Sequence, residues 1–159
     1  AFFTHLEEGL AAGGRSRTAL DVSQGAEVAF APDESTLASM TAARKRGLAF
    51  SLGGMGTATT NFYNDAYSRQ GWGEVAGEVQ RRWQSGDRRG AEELITDDMV
   101  LATTLIGTES SVRDRLRVWR DVGIDTVRLY PAGESLEERV TTLGRALDLV
   151  REVSAEATR

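Results

Sequence analysis

GLAFSLGGMGTATTNFYNDAYSRQGW, residues 47–72, decides how the rest of the chain is read. Between two helical patterns it gathers glycines at 53, 54 and 56, Met55, and the aromatics Phe50, Phe62, Tyr63, Tyr67 and Trp72. Glycines at those positions permit positive φ and close approach of the backbone to another surface, while the aromatics carry large packing areas. A segment of this composition is expected to cap or line something. The competing reading is that its aromatics make subunit contacts or local core.

Working outward toward the C-terminus, Val75, Val79 and Trp83 recur every four residues and predict a helix that Gly86 ends. A short helix is expected around Ala91 to Ile95. Thr108 is placed as an N-cap with Glu109 in the first turn. Val112, Leu116 and Trp119 form the inward face of that helix, and Gly123 stops it. The β-branched and aromatic run Thr126 to Tyr130 predicts a strand, broken by Pro131-Ala132-Gly133. In the last helix Ser135 and Glu138 have capping-box spacing, and Leu136, Val140, Leu143, Leu147 and Val150 form the apolar stripe. The tail SAEATR, residues 154–159, is expected to fray, leaving residues 1–153 as one incomplete domain.

Toward the N-terminus, the spacing predicts a helix from Thr4 to about Ala12 that stops at Gly13-Gly14. Val22, Ala26, Val28 and Phe30 then fall on one face of a strand, with Ser23, Gly25, Glu27, Ala29 and Ala31 on the other. Pro32 stops the ladder and Asp33 caps a helix through Leu37, Met40 and Leu48. The helix-loop-strand-helix order after Thr108 is that of an α/β unit, so the two predicted strands are expected to be parallel. Two parallel strands cannot close or cover their edges. The chain is therefore expected to need a missing half, a second copy, or a rearranged helical packing.

The segment Gly53-Gly54-Met55-Gly56, four variable residues, then Asn61-Phe62-Tyr63 resembles a run in the luciferase-like oxidoreductases of the deazaflavin-dependent class. The resemblance continues in order through residues 71–100 and through LIGTESSVRDRLRVWRDVGIDTVRLY, residues 105–130, and upstream through residues 11–35. It covers roughly residues 5 to 132. It implies an α/β fold: the C-terminal fragment of a (β/α)8 TIM-type barrel, helix-rich, with about two parallel strands. A whole barrel needs about 250 residues, and the six earlier strands have no counterpart here. The opening Ala1-Phe2-Phe3, without an initiating Met, is expected of a piece of a longer protein.

The resemblance also implies a function: a flavin-like or deazaflavin-dependent oxidoreductase of monooxygenase type that moves hydride between bound cofactor and a small organic substrate. Coenzyme F-420 is the first cofactor implied and FMN the alternative. The cofactor carries the redox chemistry and the protein supplies pocket, orientation and water exclusion. The mouth of such a barrel lies at the C-terminal strand ends, here Phe30-Ala31 and Tyr130-Pro131, with residues 47–72 as a cover. Gly53, Gly54, Met55, Gly56, Asn61, Phe62 and Tyr63 are accordingly the candidate cofactor-binding residues. No catalytic acid or base carries over, and Glu27 is the one inward-pointing acid to name. The reading from a different class is a non-catalytic, helix-rich interaction or dimerisation module, supported by the aromatics of residues 62–83.

Composition narrows the rest. The 159 residues suffice for one core, and 40% hydrophobic with 27% charged residues is ordinary globular usage. No apolar run approaches the roughly 18 residues of a membrane span, and the start does not read as a signal peptide. The net charge of −5 disfavours nucleic acid and anionic membranes as partners. Arg44, Lys45 and Arg46, like Arg81, Arg82, Arg88 and Arg89, sit beside acids and read as solvated helix faces. The absence of cysteine excludes disulfides and thiolate metal sites and is compatible with a cytoplasmic home. A single histidine, His5, disfavours both a metal site and a Ser-His-acid triad. The expected partners are a small-molecule substrate and a second copy of the chain, as a dimer.

Overall fold

The computed structural model describes residues 2–57 and 59–156. In chain order the elements are α1 (Phe2–Ala12), β1 (Ser23–Phe30), α2 (Glu34–Gly54), α3 (Phe62–Tyr67), α4 (Gly73–Gln84), α5 (Arg88–Glu93) and α6 (Asp97–Leu101). There follow β2 (Leu105–Gly107), α7 (Glu109–Asp121), β3 (Thr126–Pro131) and α8 (Leu136–Glu156). A 3-10 turn spans Arg17–Ala19, and a π-helical turn, Ser68–Trp72, joins α3 to α4. The fold is a helix-rich α/β arrangement with β1 and β3 parallel, as the sequence implies.

The sheet order is β2-β1-β3. The short β2 was not foreseen, and all three of its residues are buried. β3 lies parallel to β1, in register from Ser23 with Thr126 to Val28 with Pro131, the pairing expected of the two foreseen strands.

The chain divides into two compact units, Ala1–Val28 with Ser110–Arg159, and Ala29–Glu109. In the first, Leu10, Ala26, Val28, Val112, Leu116, Ala146, Leu149 and Val153 are buried. Arg113 donates to both carboxylate oxygens of Glu152 at 3.0 and 3.2 Å. Arg117 donates to Glu156 at 2.5 and 2.9 Å, tying α7 to α8. The turn into β3 is pinned by Asp125, whose carboxylate accepts from Arg17 at 2.6 Å and from the Val22 amide at 2.8 Å. These two donors hold the Asp125 carboxyl below its usual range, the Val22 amide foremost. Gly123 ends α7 at φ 94°, as foreseen.

Two expectations for α8 change. The capping box is present, with the Glu138 amide donating to Ser135 Oγ at 3.1 Å and the Ser135 amide to Glu138 Oε2 at 3.3 Å. The buried residues, however, are Ala146, Leu149 and Val153. Leu136, Val140 and Leu147 of the predicted stripe are 79%, 60% and 39% exposed. The helix carries two adjacent apolar faces, and only one meets this unit. The helix also continues through Glu156, so 154–156 of the tail is helical, while 157–159 lies outside the described residues.

In the second unit α2 is the spine. Ala49 and Leu52 pack with Tyr67, Ala76, Val79, Ala91, Ile95, Met99 and Val100 around one core, flanked by Leu48, Trp72, Val75, Trp83 and Leu94. The stripe of α4 is placed as its spacing predicts, and Gly86 follows it at φ 92°. Thr96 caps α6 by accepting from the Met99 amide at 3.3 Å.

Candidate functional site

The start of α2 is set by Asp33, which accepts from the Thr36 amide at 2.7 Å. That bond holds the Asp33 carboxyl below its ordinary value. From there the helix runs unbroken through the first eight residues of the segment that opened the sequence reading. Gly53 and Gly54 are its last helical residues. Their small size answers to packing. A Cβ on Gly53 would overlap Cβ and Cγ of Trp83, and one on Gly54 would stand 2.6 Å from Trp83 Nε1 and 2.7 Å from Phe50 Cδ2. The α4 indole thus lies against bare backbone of α2, 5.7 Å from the Phe50 ring between centroids, with the Arg88 guanidinium 5.5 Å over its own face.

Gly56 is the glycine that needs its conformational freedom. It adopts φ 95°, and a Cβ there would collide with the Thr60 carbonyl oxygen. Thr57 and Thr60 then exchange backbone bonds at 2.9 and 3.4 Å, closing a tight loop. Ala58, inside that loop, lies outside the described residues.

Asn61 is 4% exposed and uses its whole amide internally. Its Oδ1 accepts from the Tyr63 and Asn64 amides at 3.0 and 3.1 Å, capping α3. Its Nδ2 donates to the Ser51 and Leu52 carbonyls at 3.1 and 2.7 Å, two of the acceptors that the end of α2 leaves without helical partners. Asn64 adds donations to Leu52 at 3.2 Å and to Ala76 of α4 at 2.6 Å. Tyr67 donates to the Met99 carbonyl at 3.0 Å and lies 3.1 Å from Thr103 Oγ1. Burial pushes its phenol pKa up. This buried polar ladder fixes α3 against α2, α4 and α6, and sequence reasoning missed the role of Asn64 in it. A cap residue followed three positions later by a second Asn was the available signal.

The seven candidate residues therefore separate into two groups. Gly53, Gly54, Gly56 and Asn61 belong to packing, turn and cap. Met55, Phe62 and Tyr63 present surface, at 38%, 73% and 43% exposure, and the Phe62 and Tyr63 rings meet edge to face with centroids 6.0 Å apart. Tyr67, Trp72 and Trp83 lie in or against the core, so the exposed aromatics invoked for a purely interacting module reduce to Phe62 and Tyr63.

No acid or base stands among the seven. His5 pairs with Glu8 on α1 at 3.2 Å, and no metal-holding cluster of His, Cys, Asp or Glu occurs among the described residues. Glu27 is half-buried on β1, in register with Tyr130. Met55, Phe62 and Tyr63 give the segment exposed apolar and aromatic surface. It lacks the cationic donors that a phosphate would take. No helix of the described residues is long and apolar enough to cross a membrane.

A protein of Mycobacterium tuberculosis, provisionally named as a coenzyme F-420-dependent oxidoreductase, is 35% identical over 136 residues, 84% of this chain and 38% of its own length. Uncharacterized proteins of Mycobacterium bovis and Mycobacterium tuberculosis are each 30% identical over 112 residues, 70% of this chain and 31% of theirs. The chain thus spans less than two fifths of the length of these relatives. No solved structure matches it. The family profile described as luciferase-like monooxygenase matches residues 1–126, and the chain belongs to that family.

Proposed function

We propose that this chain is the C-terminal part of a deazaflavin-dependent oxidoreductase that moves hydride between bound coenzyme F-420 and a small organic substrate. FMN is the second cofactor to test. The observation that carries the reading is the match to a relative named for coenzyme F-420 across 84% of the chain, including the Gly53 to Tyr63 segment. When bound, the cofactor supplies the hydride acceptor and donor.

The residues of this chain supply shape. Met55, Phe62 and Tyr63 offer apolar contact to one face of the ring and keep water from it. Asn61 fixes the start of α3 and so the position of both aromatics, while Gly53, Gly54 and Gly56 let the backbone follow the path that brings them there. The cofactor's phosphate and the catalytic acid or base belong to parts of the longer protein outside this segment. On its own the chain binds weakly and turns nothing over. The whole enzyme is a cytoplasmic dimer in this reading.

Titrating purified chain with coenzyme F-420 and, separately, with FMN tests it. The expected result is a rise in melting temperature and a change in cofactor absorbance with coenzyme F-420, and a smaller response to FMN. No response to either cofactor would remove the cofactor surface from this segment.

A further inference from the structure

Helix α4 meets the 47–72 segment along one of its faces, at Ala76, Gln80 and Trp83, which step by four and three. At the two ends of this row the contact is close. Trp83 lies against the bare backbone of Gly53 and Gly54, and the Ala76 carbonyl accepts from Asn64 Nδ2 at 2.6 Å. Gln80 is the middle member. Its Nε2 donates to the Thr57 carbonyl at 3.2 Å, the same oxygen that accepts the Thr60 amide at 3.4 Å.

The place of this bond in the chain gives it a role. Thr57 follows Gly56, whose φ of 95° lies in the region that glycine enters without steric cost. A glycine leaves the direction of the chain beyond it weakly set by local stiffness, so the position of Thr57 has to come from a contact. On the far side of the turn Asn61 fixes Phe62 and Tyr63 through its bonds to α2 and α3. On the near side Met55 closes α2, its amide bonded to the Phe50 carbonyl at 3.2 Å. Gln80 ties the turn between them to α4.

We infer that Gln80 is a positioning residue for the proposed cofactor surface: through Thr57 it sets how Met55 stands relative to Phe62 and Tyr63. The inference rests on the cofactor reading above and adds to it a residue that itself touches no cofactor. Each contact it uses lies within Ala29–Glu109, so it holds whatever the rest of the longer protein places around the segment.

Gln80→Leu removes the donor at similar side-chain length, and Gln80→Lys keeps a donor there. Coenzyme F-420 is titrated into both variants and the wild-type chain by absorbance, beside thermal melts and amide exchange at Thr60 of the cofactor-free proteins. Loss of one neutral hydrogen bond is expected to weaken binding about fivefold in Gln80→Leu and to speed exchange at Thr60, with the melting temperature unchanged. Gln80→Lys is expected to recover most of both. A wild-type chain that does not respond to the cofactor removes the cofactor surface from this segment, and the role of Gln80 with it. A wild-type chain that binds, with Gln80→Leu binding as tightly, overturns the role of Gln80 alone. Weaker binding that Gln80→Lys does not recover, or that comes with a fall in melting temperature, makes Gln80 part of the fold and overturns that role also.

Discussion

Asn61 Nδ2 donates to the Leu52 carbonyl at 2.7 Å while its Oδ1 takes the Asn64 amide at 3.1 Å, so one side chain closes the end of α2 and opens α3. The two helices are joined through this amide as well as through the loop between them. Asn61→Ala removes the cap and leaves buried carbonyls unmet, each change costing about 1 kcal/mol or more. Asn61→Asp keeps the acceptor and loses the donor, so it is expected to fall between wild type and alanine. Urea midpoints for the three proteins check the order, and an alanine variant as stable as wild type would refute the clamp.

At Gly53 two effects oppose. Alanine is favoured over glycine in a helix by about 1 kcal/mol, but its Cβ would overlap Trp83, and overpacking costs about 1–3 kcal/mol. The steric term wins, so Gly53→Ala is expected to destabilise. The same substitution in a Trp83→Leu background is expected to be neutral or stabilising. A double-mutant cycle by denaturant unfolding measures the coupling, and additive effects would show that the close approach is absent.

How far the fold could be read from sequence follows from which interactions are local. The Asp33 cap, the Ser135 and Glu138 capping box, the Gly86 and Gly123 stops and the alternation of β1 all act within a few residues and were legible. Gly53 and Gly54 were read as permitting either positive φ or close approach of the backbone, and only the indole of Trp83, thirty residues on from Gly53, decides for the second. The α8 stripe was found, but periodicity reports that a face is apolar and not what covers it, so the burial of Ala146, Leu149 and Val153 beside it was not foreseen. The site divided in the same way: its composition was visible, while the consumption of the Asn61 amide by α2 depended on partners about ten residues away.

Glu156 gives a pH dependence with a definite sign. Hydrogen bonding to Arg117 first, and then the charges of Arg117 and Arg120, lower its pKa from 4.5 to about 2 in the folded chain. A depressed folded-state value means the group stabilises the fold at pH above 4.5, and that stabilisation is lost as pH falls toward about 2. Arg117→Gln is expected to flatten this part of the profile while leaving its shape near neutrality unchanged. Urea midpoints measured in steps from pH 6 to pH 2 check it, and parallel curves for the two proteins would contradict the pairing.

The proposed cofactor surface makes a prediction that separates binding from folding. Phe62 is 73% exposed and Tyr63 43%, so Phe62→Ser with Tyr63→Ser removes little burial within the chain. Surface changes of this kind shift stability by only about 0.5 kcal/mol. Against a planar ring, however, each aromatic face contributes on the order of 1 kcal/mol. Together their loss is expected to weaken binding of coenzyme F-420 about tenfold or more. Binding isotherms from the cofactor's absorbance, read beside thermal melts of the same preparations, carry the test. Unchanged affinity at unchanged stability would move the cofactor off this surface, and a large drop in melting temperature would instead place Phe62 and Tyr63 in the fold.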